Sequence, residues 1–217
     1  MKEIHLNIPL VERDILSLSL GDLVFLNGLV FTARSLFHIR AARENIVPPV
    51  DFKKLNVMVH TGPMMKKDGS RWVPVNCEPT TSMRFEKYTA HVIQKLGLRA
   101  IVGKGTMGRK TMDAMREYGC VHMAKIGIYG AILASKITRV QGAHGFDELG
   151  PIECTWVMEV KDFGPFFVDI DAQGRSFFEK IKKETQEKLF SAYRRFSIPE
   201  GFRFSGDNSE HYLAIEE

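Results

Sequence analysis

This chain contains few cysteines, no long apolar segments and no tracts of one charge. Its three cysteines, Cys77, Cys120 and Cys154, are widely separated and form no C-x-x-C pair. This spacing argues against a disulfide framework and against a zinc or iron–sulfur site built by this chain alone, so we expect its residues to bind no metal. Buried structural thiols are the simplest interpretation. Cys77 remains a candidate site residue because it lies three positions before Thr80.

The longest apolar runs fall short of the roughly 18–20 residues that a membrane helix needs. The first five residues, Met1 to His5, include no apolar signal segment, so we expect a cytoplasmic protein that binds no membrane. The formal net charge is only +4, and the basic residues are scattered among acidic ones. Such a distribution favours small anionic ligands over nucleic acid.

Strand-like and helix-like patterns alternate along the 217 residues, which predicts an α/β fold. Strands are predicted at 3–8, 23–31, 56–60, 98–102, 120–123, 154–160 and 166–170, and helices at 34–44, 80–96, 109–118 and 176–196. Residues 126–137 receive no assignment, and a loop is predicted around 142–150. We expect one domain over residues 1–198, closed by a helix with a buried aromatic stripe that could extend into a subunit contact, and a polar tail over residues 199–217.

Two predicted turn-to-helix junctions combine hydroxyl groups with positive charge: the segment Pro79-Thr80-Thr81-Ser82-Met83-Arg84 and the segment Gly103-Lys104-Gly105. The first turn of a helix leaves N–H groups unpaired and carries partial positive charge, so each junction is a candidate site for a carboxylate or phosphate. With Thr80 or Thr81 as the N-cap, Arg84 would share a helical face with Thr80. A capped surface helix with a solvated arginine is the alternative.

Residues 103–108 also match the glycine pattern of dinucleotide-binding loops. That pattern requires an acidic residue about 20 positions further on, which holds the ribose. Residues 120–128 contain no aspartate or glutamate, so we do not expect a nicotinamide cofactor. A lysine between the first two glycines suits a ligand carboxylate better.

Six motifs occur in a characteristic order and approximate spacing. They are Gly21-Asp22, Thr32-Ala33-Arg34, His38-Ile39-Arg40, His60-Thr61-Gly62-Pro63, the 79–84 segment and Gly103-Lys104-Gly105. In this order they resemble the β subunit, or C-terminal domain, of class I iron–sulfur fumarate hydratases, a grouping shared with L-tartrate dehydratase. The resemblance runs from about residue 5 to residue 195. It implies a swivelling β/β/α domain, with a mixed sheet and flanking helices, that closes over a site completed by an α subunit.

The resemblance also implies roles for individual residues. Arg34, Arg84 and Lys104 match the contacts to the substrate carboxylates, and Thr80 matches the threonine proposed as the catalytic base. Further candidates are Thr81, His60, Gly103 and Gly105. The family's [4Fe–4S] cluster is bound by the α subunit, which agrees with the cysteine spacing found here. Apart from the resemblance, His38 is expected to be a helix-surface or hydrogen-bonded structural histidine, and His122, which has no partner at ligand spacing, is not expected to bind a metal.

The reaction that the resemblance implies is the reversible hydration of a four-carbon dicarboxylate, with fumarate and malate expected first. Glu78, the pair Phe85-Glu86 and Thr106 depart from the family pattern and leave the identity of the diacid open. One alternative is an L-tartrate dehydratase β subunit, and another is a non-catalytic anion-binding regulatory domain. The expected partners are the α subunit and a dicarboxylate, in a homo-oligomer or an α2β2 assembly.

Overall fold

The computed structural model describes residues 1–199 and Phe202, which contain nine strands and seven α-helices. The strands are β1 (Glu3–Asn7), β2 (Leu23–Ala33), β3 (Val57–His60), β4 (Met64–Asp68), β5 (Arg71–Asn76), β6 (Ala100–Gly103), β7 (Val121–Lys125), β8 (Ile137–His144) and β9 (Thr155–Ile170). The α-helices are α1 (Glu12–Leu16), α2 (Ser35–Ile39), α3 (Glu86–Leu96), α4 (Arg109–Tyr118), α5 (Gly130–Ser135), α6 (Phe146–Glu153) and α7 (Phe177–Arg195). A π-helical turn, Arg40–Glu44, continues α2, and a 3-10 turn, Ser82–Phe85, precedes α3. The chain divides into two units, Met1–Phe178 and Glu179–Glu217.

Seven strands of the first unit form one mixed sheet in the order β1-β2-β3-β6-β7-β9-β8, while β4 and β5 form a hairpin. The neighbours from β1 to β7 are parallel, whereas β9 runs antiparallel to β2, β7 and β8. Because β9 pairs with β2 as well as β7, the strands β2, β3, β6, β7 and β9 close into a ring. The carboxyl ends of β2, β3, β6 and β7 therefore meet at one edge.

Alternate residues of these strands contribute to two apolar cores, as the two-residue period of a strand requires. Val57 and Val59 belong to one core together with Trp156, whereas Met58 belongs to the other core. The second core also contains buried side chains of α2, α3 and α4, including Phe37, Ile93 and Met112. Burying one such large side chain contributes about 1.5–3 kcal/mol, so the strand ends rest on a firmly packed base.

The α/β class and most of the predicted elements are confirmed. Helices α3 and α4 end where predicted, at Gly97 and Gly119, whose φ angles of 64° and 67° suit glycine at a helix end. The loop predicted around 142–150 is wrong, because β8 and α6 occupy most of it. Strand β8 is held by pairing with a distant segment, β9, which the local sequence pattern does not reveal. That partner strand is continuous from Thr155 to Ile170, where two strands were predicted.

The last helix, α7, lies where the sequence predicted it, but its apolar stripe is not buried. Phe178 is 42% exposed and Phe190 is 55% exposed. The prediction that this face is buried within the chain is therefore wrong, because helical periodicity shows that a helix is amphipathic but not that the chain provides a surface to cover it. Its extension into a subunit contact stays a prediction. Apart from Pro199 and Phe202, the predicted polar tail lies outside the described residues. Within the described part of the chain, no helix is both long and apolar enough to cross a membrane.

Candidate functional site

The predicted site residues gather at the edge where the parallel strands end. The pairing register makes β2, β3 and β6 end level with one another. Arg34 directly follows β2 and Lys104 directly follows β6. Adjacent strands are about 4.8 Å apart, so these two cations start from backbone positions roughly 10 Å apart. The main chain thus places Arg34 and Lys104 on the same edge, with β3 between them.

Residues 79–84, here called the Thr80 turn, bridge the ends of β3 and β6. The backbone N–H of Thr80 donates to the His60 carbonyl at 2.7 Å, and the N–H of Lys104 donates to the Thr80 carbonyl at 3.1 Å. The N–H of Ser82 then donates to the Lys104 carbonyl at 3.0 Å, and Thr81 pairs with Lys104 as an isolated bridge. These bonds bring Thr80, Thr81 and Lys104 together as an extension of the sheet.

The Thr80 turn enters its helix later than predicted. Thr81 is the N-cap, with φ −60° and ψ 115°, and makes no side-chain capping bond. A 3-10 turn follows, and the α-helix begins only at Glu86. The prediction that Thr80 and Arg84 share an α-helical face is therefore wrong, because Thr80 lies before any helical residue.

The second junction is closed by one of the protein's own carboxylates. The backbone N–H groups of Gly108 and Thr111 donate to the Glu86 carboxylate at 2.8 and 3.1 Å, and the Thr111 hydroxyl donates to it at 2.7 Å. Gly108 is the N-cap of α4, so Glu86 occupies the place where the sequence predicted a bound anion. The prediction of an open anion site at the start of α4 is therefore wrong.

The three predicted cations differ in how their charge is balanced. The Arg34 Nε lies 3.7 Å from the Glu153 carboxylate, and the Arg34 side chain is only 25% exposed. Arg84 and Lys104 are exposed, and within the described ranges neither forms an ion pair. The carboxylate of Glu78, which departs from the family pattern, is paired with Lys125 at the end of β7. Arg84 and Lys104 therefore carry positive charge without a carboxylate partner in the described ranges, on the two backbone segments that also place Thr80 and Thr81.

Beneath the Thr80 turn runs a buried chain of polar side chains that the sequence analysis did not predict, here called the histidine–serine chain. It consists of His38, His60, Ser82, His122 and Asp169, all with 0% exposure. The Nε2 atoms of His38 and His60 are 3.2 Å apart, and His60 Nδ1 is 3.0 Å from the Ser82 hydroxyl oxygen. That oxygen lies 2.9 Å from His122 Nε2, and His122 Nδ1 lies 2.9 Å from Asp169 Oδ2.

Burial keeps the first two rings of this chain neutral. It lowers the pKa of His38 to about 3. Burial first, and the neighbouring rings of His38 and His122 second, lower the pKa of His60 well below its ordinary value. The ring of His38 stacks on Phe85 at 4.7 Å, which confirms the expectation of a structural role. Both ring nitrogens of His60 are engaged inside the protein, so this candidate residue supports the Thr80 turn through its backbone carbonyl and its ring.

A bulge in β9 brings Asp169 into the histidine–serine chain. Ile170 pairs with His122 and Val168 pairs with Met123, so Asp169 is the extra residue between two ladder pairs. Such a bulge re-aims a side chain, which here meets His122. The available signal was the aspartate itself, since a charge inside an apolar strand pattern requires a partner.

Position 103 requires glycine because the Ser82 hydroxyl fills the space that a Cβ would occupy. A Cβ at position 103 would lie 1.8 Å from the Ser82 hydroxyl oxygen, which is far closer than any real contact. Gly105 has a different constraint: its φ of +76° lies in the left-handed region, while the space around it is open. The two glycines thus shape the Lys104 loop, one by close approach and the other by backbone conformation.

The three thiols are buried, and burial disfavours their ionised form. All three cysteines are free, and burial raises the pKa of Cys77 and Cys120 to about 12 and that of Cys154 to about 11. This confirms the expectation of structural thiols. No group of three His, Cys, Asp or Glu side chains in the described ranges could hold a metal ion. Iron–sulfur clusters are held by several cysteine thiolates, so the residues described here do not fit one.

Comparison with known proteins gives a consistent result. The family model described as Fumarase C-terminus matches residues 1–181. A putative L(+)-tartrate dehydratase subunit beta from Methanocaldococcus jannaschii is 37% identical over 183 residues, which cover 83% of this chain and 93% of that protein. The L(+)-tartrate dehydratase subunit beta of Escherichia coli is 32% identical over 188 residues, covering 87% and 92%. A putative fumarate hydratase class I from Geobacillus stearothermophilus is 37% identical over 187 residues, covering 86% of this chain but only 35% of that protein.

Proposed function

Because this chain belongs to the Fumarase C-terminus family, we propose that it is the β subunit of an iron–sulfur hydro-lyase acting on a four-carbon dicarboxylate. The observation that carries this proposal is the pair of uncompensated cations, Arg84 and Lys104, beside the Thr80 turn. A doubly charged acid needs such charges, and Arg34 at the end of β2, which shares its charge with Glu153, is the third proposed contact. The proposed roles are carboxylate binding for these three residues and proton transfer for Thr80.

The chemistry of dehydration explains why the proposed site needs cations. Removing a proton next to a carboxylate builds extra negative charge on that carboxylate in the transition state. Positive side chains aimed at this charge stabilise the transition state more than the bound substrate, and this difference raises the rate. Arginine can hold a carboxylate through two parallel hydrogen bonds, whereas lysine supplies a compact charge, so Arg84 and Lys104 are suited to different parts of the task.

Thr80 requires help to act as a base. A hydroxyl is a weak base unless its environment lowers its pKa, and nearby cations do so by favouring the alkoxide. Lys104 is the cation that the backbone ladder joins to Thr80. We assign the role of base to Thr80 with Lys104 as the residue that favours its deprotonated form.

The proposed enzyme needs a second chain. We propose that an α subunit binds the [4Fe–4S] cluster, which when bound supplies an iron site for the substrate hydroxyl and carboxylate. Support comes from the buried, separated thiols of this chain and from the word "beta" in the names of the relatives. Residues 1–198 would then act as one swivelling domain that closes over the substrate in an α2β2 assembly or a homo-oligomer.

Fumarate and malate are the first candidate substrates, and L-tartrate is the second. The second candidate is favoured by one observation: relatives named as L(+)-tartrate dehydratase subunit beta match this chain over nearly their whole length. A small change on the substrate changes binding in an apolar pocket by only about 1–3 kcal/mol, so one scaffold can serve related diacids.

Anaerobic co-expression with the α partner tests the proposal. The purified complex should hydrate fumarate or dehydrate malate or L-tartrate, with mesaconate as a methylated comparison substrate. A complex that forms and carries its cluster, yet turns over none of these acids, would contradict the enzyme assignment. If this chain alone then binds dicarboxylates, the regulatory anion-binding alternative holds instead.

A further inference from the structure

The histidine–serine chain touches every element that bears a proposed substrate residue. Ser82 lies within the Thr80 turn itself, two residues before Arg84. The carbonyl of His60 accepts the bond from Thr80, and the backbone N–H of His38 donates to the Arg34 carbonyl at 3.1 Å. Gly103, next to Lys104, packs directly on the Ser82 hydroxyl. One buried network therefore underlies Arg34, Thr80, Arg84 and Lys104 together.

When the rings are neutral, the hydrogen bonds of the histidine–serine chain are all donated in one direction. The Asp169 carboxylate only accepts, so His122 Nδ1 carries the proton and His122 Nε2 is an acceptor. The Ser82 hydroxyl then donates to His122 and accepts from the Nδ1–H of His60. This leaves His60 Nε2 as the acceptor for the Nε2–H of His38. The carboxylate at one end thus determines the tautomer of all three histidines.

The His38 end of the histidine–serine chain agrees with this direction of donation. His38 Nδ1 is buried and has no hydrogen-bond partner among the atoms described. In the assigned tautomer this atom is a lone pair rather than an N–H group. A buried acceptor without a partner is more readily tolerated than a buried donor without one. The opposite direction would leave an unpaired N–H group at the same position.

We infer that Ser82 is a positioning residue of the proposed hydro-lyase site, held by His60 and His122 in a direction set by Asp169, and that it fixes the Thr80 turn against the Lys104 loop. This inference rests on the proposed function for its kinetic consequence, but its structural part stands on the hydrogen bonds alone. Ser82 contacts neither substrate nor reacting atoms in this scheme. It acts by keeping Thr80, Arg84 and Lys104 in register.

Nitrogen NMR of the histidine rings in the full-length chain tests the direction without any need for activity. The wild-type chain should show the Nδ1–H tautomer for His122 and His60 and the Nε2–H tautomer for His38. Ser82→Ala removes the hydroxyl that connects the His122 and His60 rings. The tautomers of His60 and His38 should then become independent of the His122 tautomer. Wild-type spectra with the opposite tautomers, or unchanged spectra in Ser82→Ala, would overturn the inference.

Kinetics of the reconstituted complex test the positioning role. Ser82→Ala should lower kcat by about 10–100-fold, because misplacing catalytic groups by about 1 Å has effects of this size, while KM changes much less. The matched control is Asn56→Ala, which removes a buried side chain that bonds both the N–H and the carbonyl of Leu10 at 3.0 and 2.8 Å. Asn56 directly precedes β3, at the opposite edge of the sheet, so this control should lose stability and keep kcat.

The two measurements separate the inference from the proposed function. If Ser82→Ala and Asn56→Ala lose equal stability and keep the same kcat, Ser82 is only a packing residue and the inference is overturned. If the wild-type complex turns over no diacid, the proposed function fails. In that case the amide exchange of Thr80, Ser82 and Lys104 decides: faster exchange in Ser82→Ala than in Asn56→Ala supports the positioning role, and equal exchange overturns it.

Discussion

The Thr80 turn and the start of α4 look alike in the sequence but differ in the structure. Both combine a turn, a helix start and basic residues. At the start of α4, the carboxylate of Glu86 takes the N–H groups of Gly108 and Thr111. In the Thr80 turn, the N–H groups of Thr80 and Ser82 are taken by backbone carbonyls of neighbouring strand ends.

The start of α4 is therefore not the anion site that the sequence predicted, since Glu86 fills it. One helix start is filled by a side chain, and the other begins with a single 3-10 turn. The charge that remains unbalanced sits on the side chains of Arg84 and Lys104. The candidate site is therefore defined by two exposed cations rather than by helix termini. The segments that bear these cations are joined by backbone hydrogen bonds.

The largest effect is expected when those cations are removed. Arg84→Ala or Lys104→Ala should lower kcat of the reconstituted anaerobic complex by at least about 100-fold, as for the loss of one transition-state hydrogen-bond donor. Size-exclusion chromatography should show intact assembly. Lys53→Ala, which removes an exposed lysine before β3, is the control and should keep full activity. Near-wild-type turnover in either site variant would contradict the proposed site.

An intermediate effect is expected when the start of α4 is opened. Glu86→Ala should lower the free energy of unfolding by about 1–3 kcal/mol, because it removes charge-assisted bonds to the first turn. Added sulfate should then restore part of the loss, since the freed N–H groups can bind it. Urea unfolding with and without sulfate measures both changes, with Glu187→Ala on the exposed face of α7 as the control. Equal stabilisation of wild type and variant by sulfate would contradict the role of Glu86.

The effect that is smallest at neutral pH concerns His38 and His60, whose pKa values are lowered by burial beneath the Thr80 turn. The pKa of His38 falls to about 3 in the folded state, whereas an unfolded histidine titrates near its ordinary value of 6.5. The unfolded chain therefore binds more protons below that value, and stability is full above about pH 6.5 and declines as the pH falls towards 3.

His38 contributes up to about 1.4 kcal/mol per pH unit to this decline. His38→Gln should therefore reduce the slope of unfolding free energy against pH between about 4.5 and 6.5. His91→Gln, which changes an exposed histidine of α3, should leave the slope unchanged. Identical slopes for wild type and His38→Gln would show that His38 does not remain neutral in the fold.

The sequence predicted the parts of the site that depend on chain order. The motif from Pro79 to Arg84 and the Gly103-Lys104-Gly105 loop indicated where cations and hydroxyls would lie, and the resemblance named their roles. The histidine–serine chain was not predicted, because its members come from α2, β3, β7, β9 and the Thr80 turn. Spacing along the sequence carries no information about a network assembled from five separate segments.

The amino-acid sequence alone determined the alternation of strands and helices, the helix ends at Gly97 and Gly119, the structural role of the thiols and the family. These features depend on local periodicity, backbone conformation and composition, which neighbouring residues define. Only the tertiary structure decided that Glu86 fills the start of α4, that the bulge at Asp169 reaches His122, and that the apolar stripe of α7 is exposed. Each of these depends on contacts between distant segments, whose geometry exists only once the sheet has closed.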